Sequence, residues 1–298
     1  MIGRVALAVN PTAGKGRSVA AGAMVADGLA AAGIEVLALS GGSASELAAA
    51  ARGAIGTGVD ALVVVGGDGV ISLALQALAH SDIPLGIVPA GTGNDHAREY
   101  RLPTADPEGA VDIIAAGHLE TVDLGLIKGS DRSSTWFGTV AATGFDSLVS
   151  DRVNRMSWPH GRMRYNVAMV AELSKLRLLP FRLVLDGQRE IVTRLTLAAF
   201  GNTRSYGGGM QICPGANHSD GMLDITMVHS ASRTRLIRLF PTVFKGTHVD
   251  LDEVRVDRAR TITAESPGIN AYADGDYVCP LPAEISAVPG ALKIFVPA

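Results

Sequence analysis

The sequence predicts an α/β fold with a doubly wound parallel sheet, followed by a mainly antiparallel β-sandwich with inserted helices, on three observations. Strand and helix patterns alternate four times between residue 4 and about residue 116, as in a right-handed doubly wound sheet. The branched, uncharged run Leu62 to Val65 stops at Gly66-Gly67-Asp68-Gly69, as a strand covered on both faces does when it delivers a binding turn. Beyond about residue 125, strand-like runs follow one another without helices of matching length. The expected boundaries are 1–124 for the α/β domain, with the tail of about 290–298 as a segment that could return to it, and 125–289 for the β domain.

Arg4 to Val9 is the first strand, and it runs into Asn10-Pro11-Thr12-Ala13-Gly14-Lys15-Gly16-Arg17 ahead of a helix beginning near Ser18. The common P-loop spacing fails, because position 9 is Val9 and Lys15 is followed by Gly16. Lys15 and Arg17 are still placed to meet phosphates, with a solvated basic turn as the alternative for Arg17. Glu35 to Leu39 is the next strand, which leaves Ser40 at a carboxyl end, where open parallel sheets bind ligands. Ser43 and Glu46 have capping-box spacing and open an alanine-rich helix to about Ile55.

The glycines at 66, 67 and 69 let a bulky anion approach the backbone, and Val70 to Ala79 has helical spacing, so a positive helix end arrives at the same spot. Asp68 makes sense in an anion site when a divalent cation lies between it and the phosphates. The same residues also read as a tight turn with Asp68 capping its helix. Pro84 to Pro89 is a short buried strand, followed by Ala90-Gly91-Thr92-Gly93-Asn94-Asp95. Here Thr92 and Asn94 offer hydrogen-bonding groups, and Asp95 is a second carboxylate at the same sheet edge. Asn94 and Asp95 also suit the cap of a helix running through Tyr100. Asp123, in Thr121 to Gly125, is a third candidate carboxylate.

In the second half the strand runs are Trp136 to Ala142, Phe181 to Asp186, Glu190 to Phe200, Met222 to Val228 and Val254 to Ala264, with Asp186-Gly187 as a hairpin turn. Ser147 to Leu178 reads as helical and carries a net charge of +4, with Trp158, Pro159 and Tyr165 interleaved. Arg233, Arg235, Arg238 and Lys245 accompany Leu236, Leu239, Phe240 and Phe244 in a second helical run. Such stretches suit an anionic membrane surface or a solvated helix face. Asp220-Gly221 reads as a turn opening a strand. Asp274 and Asp276 in Tyr272 to Tyr277 share a face if extended, which would raise one pKa and leave a base near neutrality; a hairpin turn fits the same spacing.

Composition narrows the function. The chain has 298 residues, 47% of them hydrophobic and 18% charged, so a well-filled core is expected and disorder is not. A net charge of −3 and few aromatic residues beside the arginines argue against nucleic-acid binding. Cys213 and Cys279 are too few for a disulfide framework. No signal peptide or stretch of about 20 apolar residues is visible, so the expected location is cytoplasmic, peripherally on the inner face of the membrane.

Taken together, Asn10 to Gly14, Gly66 to Gly69, Pro89 to Asp95, Asp220-Gly221-Met222-Leu223-Asp224 and Asp274-Gly275-Asp276 resemble, in order and spacing, the soluble bacterial diacylglycerol kinases, with sphingosine kinases and NAD kinases as further kin. The resemblance covers essentially the whole chain and is nearest the mycobacterial branch. It implies that Asn10, Pro11, Thr12, Ala13, Gly14, Lys15, Ser40, Gly66, Gly67, Asp68, Gly69, Val70, Ile71, Ser72, Thr92 and Asn94 surround ATP. It implies an Mg²⁺ network with Asp68, Asp95 and Asp123, and a separate structural Mg²⁺ held by Asp220 with main-chain carbonyls of Asn217 and Met222. The base would be Asp274 or Asp276, where the family usually has Glu at the last position. Two other positions depart from the family pattern. Val70 stands where threonine is usual, and Leu73 where glutamate often is, so ATP contacts are expected mainly from backbone amides.

The resulting expectation is an ATP- and Mg²⁺-dependent kinase that phosphorylates diacylglycerol or a related lipid to a phosphatidic acid, on an anionic membrane surface, as a homodimer by analogy with relatives. The rivals are a kinase of another hydroxyl acceptor, such as a sphingoid lipid or NAD, and a non-catalytic nucleotide-binding module recruited to membranes.

Overall fold

The apolar runs of the amino-terminal third become parallel strands. The computed structural model describes residues 2–10, 17–41, 43–156, 158, 162–229 and 232–298. The chain divides into two units, Met1–Leu124 with Gly207–Gly209 and Val288–Ala298, and Gly125–Tyr206 with Met210–Ala287. In the first unit β1 (Arg4–Val9) pairs in parallel with β2 (Glu35–Leu39) on one side and β3 (Ala61–Gly66) on the other, and β3 pairs with β4 (Leu85–Pro89). The carboxyl-terminal part of β16 (Ala283–Phe295) joins β4, again in parallel. The chain steps outward from β1 to β2 and then returns past β1 to β3. That reversal is a topological switch point, where the carboxyl ends of neighbouring strands part and ligands bind in such sheets.

Alternation along β1 and β3 sends side chains to both faces, and helices cover each. Val5, Leu7, Val63 and Val65 pack with Val25 and Leu29 of α1 (Arg17–Ala31) and with Val111 and Ile114 of α5 (Pro107–Ala116). On the opposite face Ala8, Leu62 and Val64 meet α2 (Ala44–Ile55) and α3 (Asp68–Leu78) along an apolar seam that includes Leu47, Val70 and Leu73. The expected cap of α2 is present, with Ser43 Oγ accepting from the Glu46 amide at 3.2 Å. A single-turn helix, α4 (Asp95–Glu99), follows β4.

The second unit is a sandwich. One of its sheets contains β8 (Leu179–Leu185), β9 (Arg189–Leu195), β13 (Thr261–Glu265) and the first part of β16. The other runs β12 (Val254–Ala259), β11 (Leu223–Val228), β10 (Leu197–Gly201), β7 (Val140–Gly144), β14 (Asn270–Ala273) and β15 (Asp276–Pro280). Leu183, Leu185, Ile262 and Ile285 from the first sheet share a core with Phe200, Ile225, Met227 and Ala271 from the second. Between β5 (Leu119–Gly129) and β7 lies β6 (Ser134–Phe137), paired antiparallel with β5.

Four expected elements are broken where the sequence reads as continuous; the first, Trp136 to Ala142, divides at Gly138 and Thr139 into β6, paired with β5, and β7, paired with β10 in the other sheet. The run Glu190 to Phe200 splits at Thr196, and Val254 to Ala264 splits at Arg260; in each case the halves join different sheets. A strand that switches sheets keeps its apolar alternation through the corner, so no composition change marks it. The amides of Arg260 and Thr261 both donate to Asp186 Oδ1 at 2.9 Å, which holds the second corner. Asp186 and Gly187, with φ of 52° and 66°, form the expected β8–β9 turn. The helical stretch expected over Ser147 to Leu178 is two helices, α6 (Phe145–Arg155) and α7 (Arg162–Ser174), and the second basic run is α8 (Arg233–Val243). Pro159 lies outside the described residues. No helix among the described residues is long and apolar enough to cross a membrane.

Candidate active site

At the carboxyl ends of β1, β3 and β4 the loops of the first unit are stitched together through backbone. The Asn10 amide donates to Val65 O at 3.1 Å and the Ala90 amide to Gly66 O at 2.7 Å. Gly67 and Gly91 meet main chain to main chain: a Cβ on Gly91 would lie 2.5 Å from Gly67 Cα, and one on Gly67 would lie 3.1 Å from Gly91 Cα. Beside them Gly69 faces open space. Gly67, which has no side chain, is the cap of α3, so a helix amino terminus with its positive field opens at this corner.

Asp68 does not cap its own helix. Its Oδ1 accepts from the amides of Asp95 and His96, at 2.8 and 3.3 Å, and pairs with His96 Nδ1 at 3.1 Å. The carboxylate therefore caps α4, the helix of the neighbouring loop. Burial opposes the charge, but the His96 bond and the α4 amides outweigh it and hold the carboxyl below the usual carboxylate range. Asp95 is occupied differently: Arg98 and the Gly209 amide reach Oδ1 at 2.7 and 2.8 Å, and the Gly208 amide reaches Oδ2 at 2.7 Å. Gly207, Gly208 and Gly209 all have positive φ, a backbone only glycine adopts freely over three residues. That triple glycine is the sequence signal that would have identified this partner of Asp95.

The remaining candidates of this unit fall into three groups. Asn94 spends both ends of its amide on Gly91, at 3.1 and 3.2 Å, and closes its own loop in a left-handed conformation. Ser40 and Thr92 are exposed, Ser72 is half-buried, and Ile71 is buried. Val70 is 2% exposed, with Cγ1 only 2.7 Å from where Gly66 would carry a Cβ, so its side chain packs the loop. Asp123 accepts from the Gly290 amide at 2.9 Å. Pro11, Thr12, Ala13, Gly14 and Lys15 lie outside the described residues. Among the described residues no three His, Cys, Asp or Glu side chains gather as a metal cluster.

In the second unit Asp274 and Asp276 do not share an extended face. Asp274 and Gly275, with φ of 50° and 90°, form a two-residue turn between β14 and β15, and Asp276 opens β15, the geometry Asp-Gly favours in hairpins. Asp274 is fully engaged: Gly138 and Thr139 donate their amides at 2.9 and 2.8 Å, and Thr139 Oγ1 donates at 2.5 Å. The same Gly138–Thr139 corner is gripped from the other side, since Asn202 Nδ2 donates to Gly138 O at 3.0 Å and the Asn202 and Thr203 amides to Thr139 O. Asp276 reaches solvent, yet partial desolvation and the charge of Asp274 push its pKa up. The two carboxylates thus differ in setting, Asp274 accepting three hydrogen bonds and Asp276 lying at the exposed start of β15.

The Asp220 turn is also arranged around a cation, but a covalent one. Asp220 accepts from the Met222 amide at 3.0 Å and pairs with the Arg258 guanidinium, which also reaches Asp224 at 2.7 Å. Asn217 Oδ1 accepts from the amide and hydroxyl of Ser219, at 3.1 and 2.9 Å. A divalent ion held by Asp220 with the carbonyls of Asn217 and Met222 would compete with Arg258.

This arrangement matches known families over both halves. Residues 4–127 match the model of the diacylglycerol kinase catalytic domain, and residues 139–296 that of the YegS C-terminal NAD kinase beta sandwich-like domain. A diacylglycerol kinase of Mycobacterium tuberculosis is 62% identical over 296 residues, covering 99% of this chain and 96% of its own. Among solved structures, a diacylglycerol kinase described as putative, from Bacillus anthracis, superposes with a TM-score of 0.78 at 22% identity over 99% of this chain and 98% of its own. An NAD kinase from Archaeoglobus fulgidus in complex with ATP shares the fold at a TM-score of 0.53 and 16% identity, over 98% and 93% of the two chains. With a relative 62% identical along nearly its whole length and the catalytic-domain model matching its first half, the chain belongs to the diacylglycerol kinase family.

Proposed function

We propose that this protein is a diacylglycerol kinase, transferring the γ-phosphoryl group of ATP to the free hydroxyl of diacylglycerol to give a phosphatidic acid. The observation that carries the nucleotide half of the reading is the junction of Gly66–Gly69 with Gly91–Asn94, where two glycine loops in backbone contact surround Asp68 beside the amino terminus of α3. Phosphoryl transfer asks a protein mainly for positioning and for donors aimed at phosphate oxygens. Asn10, Gly66 to Ser72 and Thr92 are the residues we assign to the nucleotide, joined by Pro11 to Lys15 and Ser40, with Asn94 shaping the loop. The buried Val70 side chain is consistent with recognition by main-chain amides.

Asp276 is the base we assign, taking the lipid hydroxyl's proton. The alternative, Asp274, already accepts three hydrogen bonds. A raised carboxyl pKa suits a base, because the proton-transfer driving force grows as the pKa approaches the working pH. Mg²⁺, when bound, would neutralise phosphate charge; Mg²⁺ typically keeps several waters and uses one or two carboxylates with substrate oxygens. The donor set fits that habit. Asp68, whose Oδ1 accepts from protein donors, would be the carboxylate that holds the ion, with Asp95 and Asp123, both already hydrogen-bonded, supporting it.

A lipid acceptor also asks for a surface that meets a bilayer, and exposed apolar side chains of the second unit support that reading. Trp158 is 76% exposed and Val170 66%, and Phe240 and Phe244 stack edge to face at 5.5 Å on the outside of α8. Arg152 and Arg235 are paired with Glu172 and Glu253, so the charge offered to a membrane is smaller than the arginine count. Radiolabelled ATP with Mg²⁺ and diacylglycerol in mixed micelles tests the activity: label in phosphatidic acid is expected, and label appearing only in NADP would overturn the lipid reading. Co-sedimentation with vesicles should rise with anionic lipid and fall with salt; uptake indifferent to both would remove the membrane role.

A further inference from the structure

Asp151, which in the sequence only offsets a basic run, is the centre of a polar network at the β14–β15 hairpin. Asp151 and Asn154 lie three residues apart on α6, so they present to one side of the helix. Tyr272 Oη donates to Asp151 Oδ1 at 2.7 Å, and Asn270 Nδ2 donates to both carboxylate oxygens, at 3.1 and 2.9 Å. Asn154 Nδ2 donates to Tyr272 Oη at 3.2 Å. Tyr272 is 3% exposed, and burial together with Asp151 pushes its phenol up to about 12, so it remains a donor throughout the working pH range. Its ring meets Tyr277 edge to face at 5.8 Å across the hairpin. These contacts fix both strands within one residue of the turn that carries Asp274 and Asp276.

The pairing register of the hairpin slips between Ala271 and Tyr272. Such irregularities re-aim side chains at the ends of strands, and here the slip falls between the Asn270 and Tyr272 anchors. Two sets of bonds outside the β14–β15 ladder hold the hairpin: Asp274 accepts from Gly138 and Thr139 at the tip, and Asp151 grips Asn270 and Tyr272 on either side of the slip. Asp151 acts from α6, which follows directly on β7, the strand that β14 pairs with.

We propose that Asp151 is a positioning residue for phosphoryl transfer: through Tyr272 it sets the orientation of the turn that presents Asp276 to the acceptor hydroxyl. The proposal rests on Asp276 being the base. The test compares Asp151→Ala, Tyr272→Phe, their double variant and Asp276→Asn in the mixed-micelle assay, with thermal melts of each. Tyr272→Phe keeps the ring packing and stands in if Asp151→Ala fails to fold. The expected result is a kcat loss of about 10–100-fold for Tyr272→Phe and Asp151→Ala, the scale of an ångström's misplacement. The double variant should be no worse than the poorer single, and KM for ATP should stay within about twofold of the parent. If Asp276→Asn loses turnover while Tyr272→Phe and Asp151→Ala keep the parent's kcat, the proposal is overturned and the base survives. Losses that add in the double variant and raise KM for ATP would also overturn it, since they report general loosening. If Asp276→Asn keeps the parent rate, the base assignment falls and the proposal with it.

Discussion

Replacing Gly91 by alanine probes whether two loops in backbone contact make the nucleotide site. The new Cβ would lie 2.5 Å from Gly67 Cα, 2.9 Å from Asn94 Oδ1 and 3.3 Å from Gly67 N. An ordinary carbon–carbon contact is about 3.5 Å, so the loops must part by about 1 Å. The closest obstacle is main chain, which has no rotamer to yield. Overpacking of this kind costs about 1–3 kcal/mol, and each kcal/mol lowers the melting temperature by roughly 2–4 °C in a chain of this size. The same displacement pulls on the Ala90 to Gly66 bond and on the Asn94 staple. A shift of about 1 Å in a positioning element costs up to about 10²-fold in rate. Gly69→Ala is the internal control. Its Cβ would meet nothing within 4 Å, and its φ is not in the left-handed region, so inside α3 alanine should stabilise by about 0.5–1 kcal/mol. If phosphate approaches there, the methyl raises KM for ATP without lowering the melting temperature. A Gly91→Ala protein with the parent's melting temperature and KM, or a Gly69→Ala protein destabilised as much as Gly91→Ala, would refute the reasoning.

Asp274→Ala leaves up to three donors at Gly138 and Thr139 without their acceptor, at about 1–3 kcal/mol for each that water does not reach; a denaturant melt should show it, whereas Asp276→Asn, which removes a charge the fold disfavours, should melt no lower than the parent at neutral pH and lose about 10²–10⁴ in kcat. The acid limb of kcat should lie above the ordinary carboxylate range, because desolvation first and Asp274 second raise the Asp276 pKa. Asp274→Asn should move that limb down only partway, and the fold, which favours the protonated form, should lose stability as pH rises through the Asp276 range. With Arg258 on Asp220 and Asp224, the melting temperature without nucleotide should ignore EDTA, whereas in Arg258→Ala, where two carboxylates are uncovered, added Mg²⁺ should raise it. An EDTA-sensitive parent would mean that an ion does hold the Asp220 turn.

The parallel half of the fold was legible because its signals are local. Leu62 to Val65 can only be a strand covered twice, and the glycines that end it announce a turn whatever the rest of the chain does. The sandwich was legible as a class but not in its corners, since Thr196 and Arg260 sit inside alternations that continue unbroken into the other sheet. β14, β15 and most of β16 went unread for a related reason: Asn270 to Ala273 and Asp276 to Pro280 are too short to establish a period.

Carboxylates show most clearly what spacing withholds. Asp68, Asp95, Asp220 and Asp274 each sit close to a glycine, and the sequence leaves Asp68 and Asp95 as ligand or cap, Asp220 as a turn and Asp274 as base or hairpin turn. What separates them is where their donors come from, and those donors are distant in the chain: the amides of Asp95 and His96 for Asp68, of Gly208 and Gly209 for Asp95, of Gly138 and Thr139 for Asp274, and the Arg258 guanidinium for Asp220. A carboxylate that accepts several main-chain amides is held in place by them, which suits it to orient a cation or a turn. Asp276 has a raised pKa and no such set of amides among its causes. The proposal that Asp276 is the base therefore draws on neighbours that only the fold assembles, and a loss of turnover in Asp276→Asn without a lowered melting temperature is the measurement on which it stands.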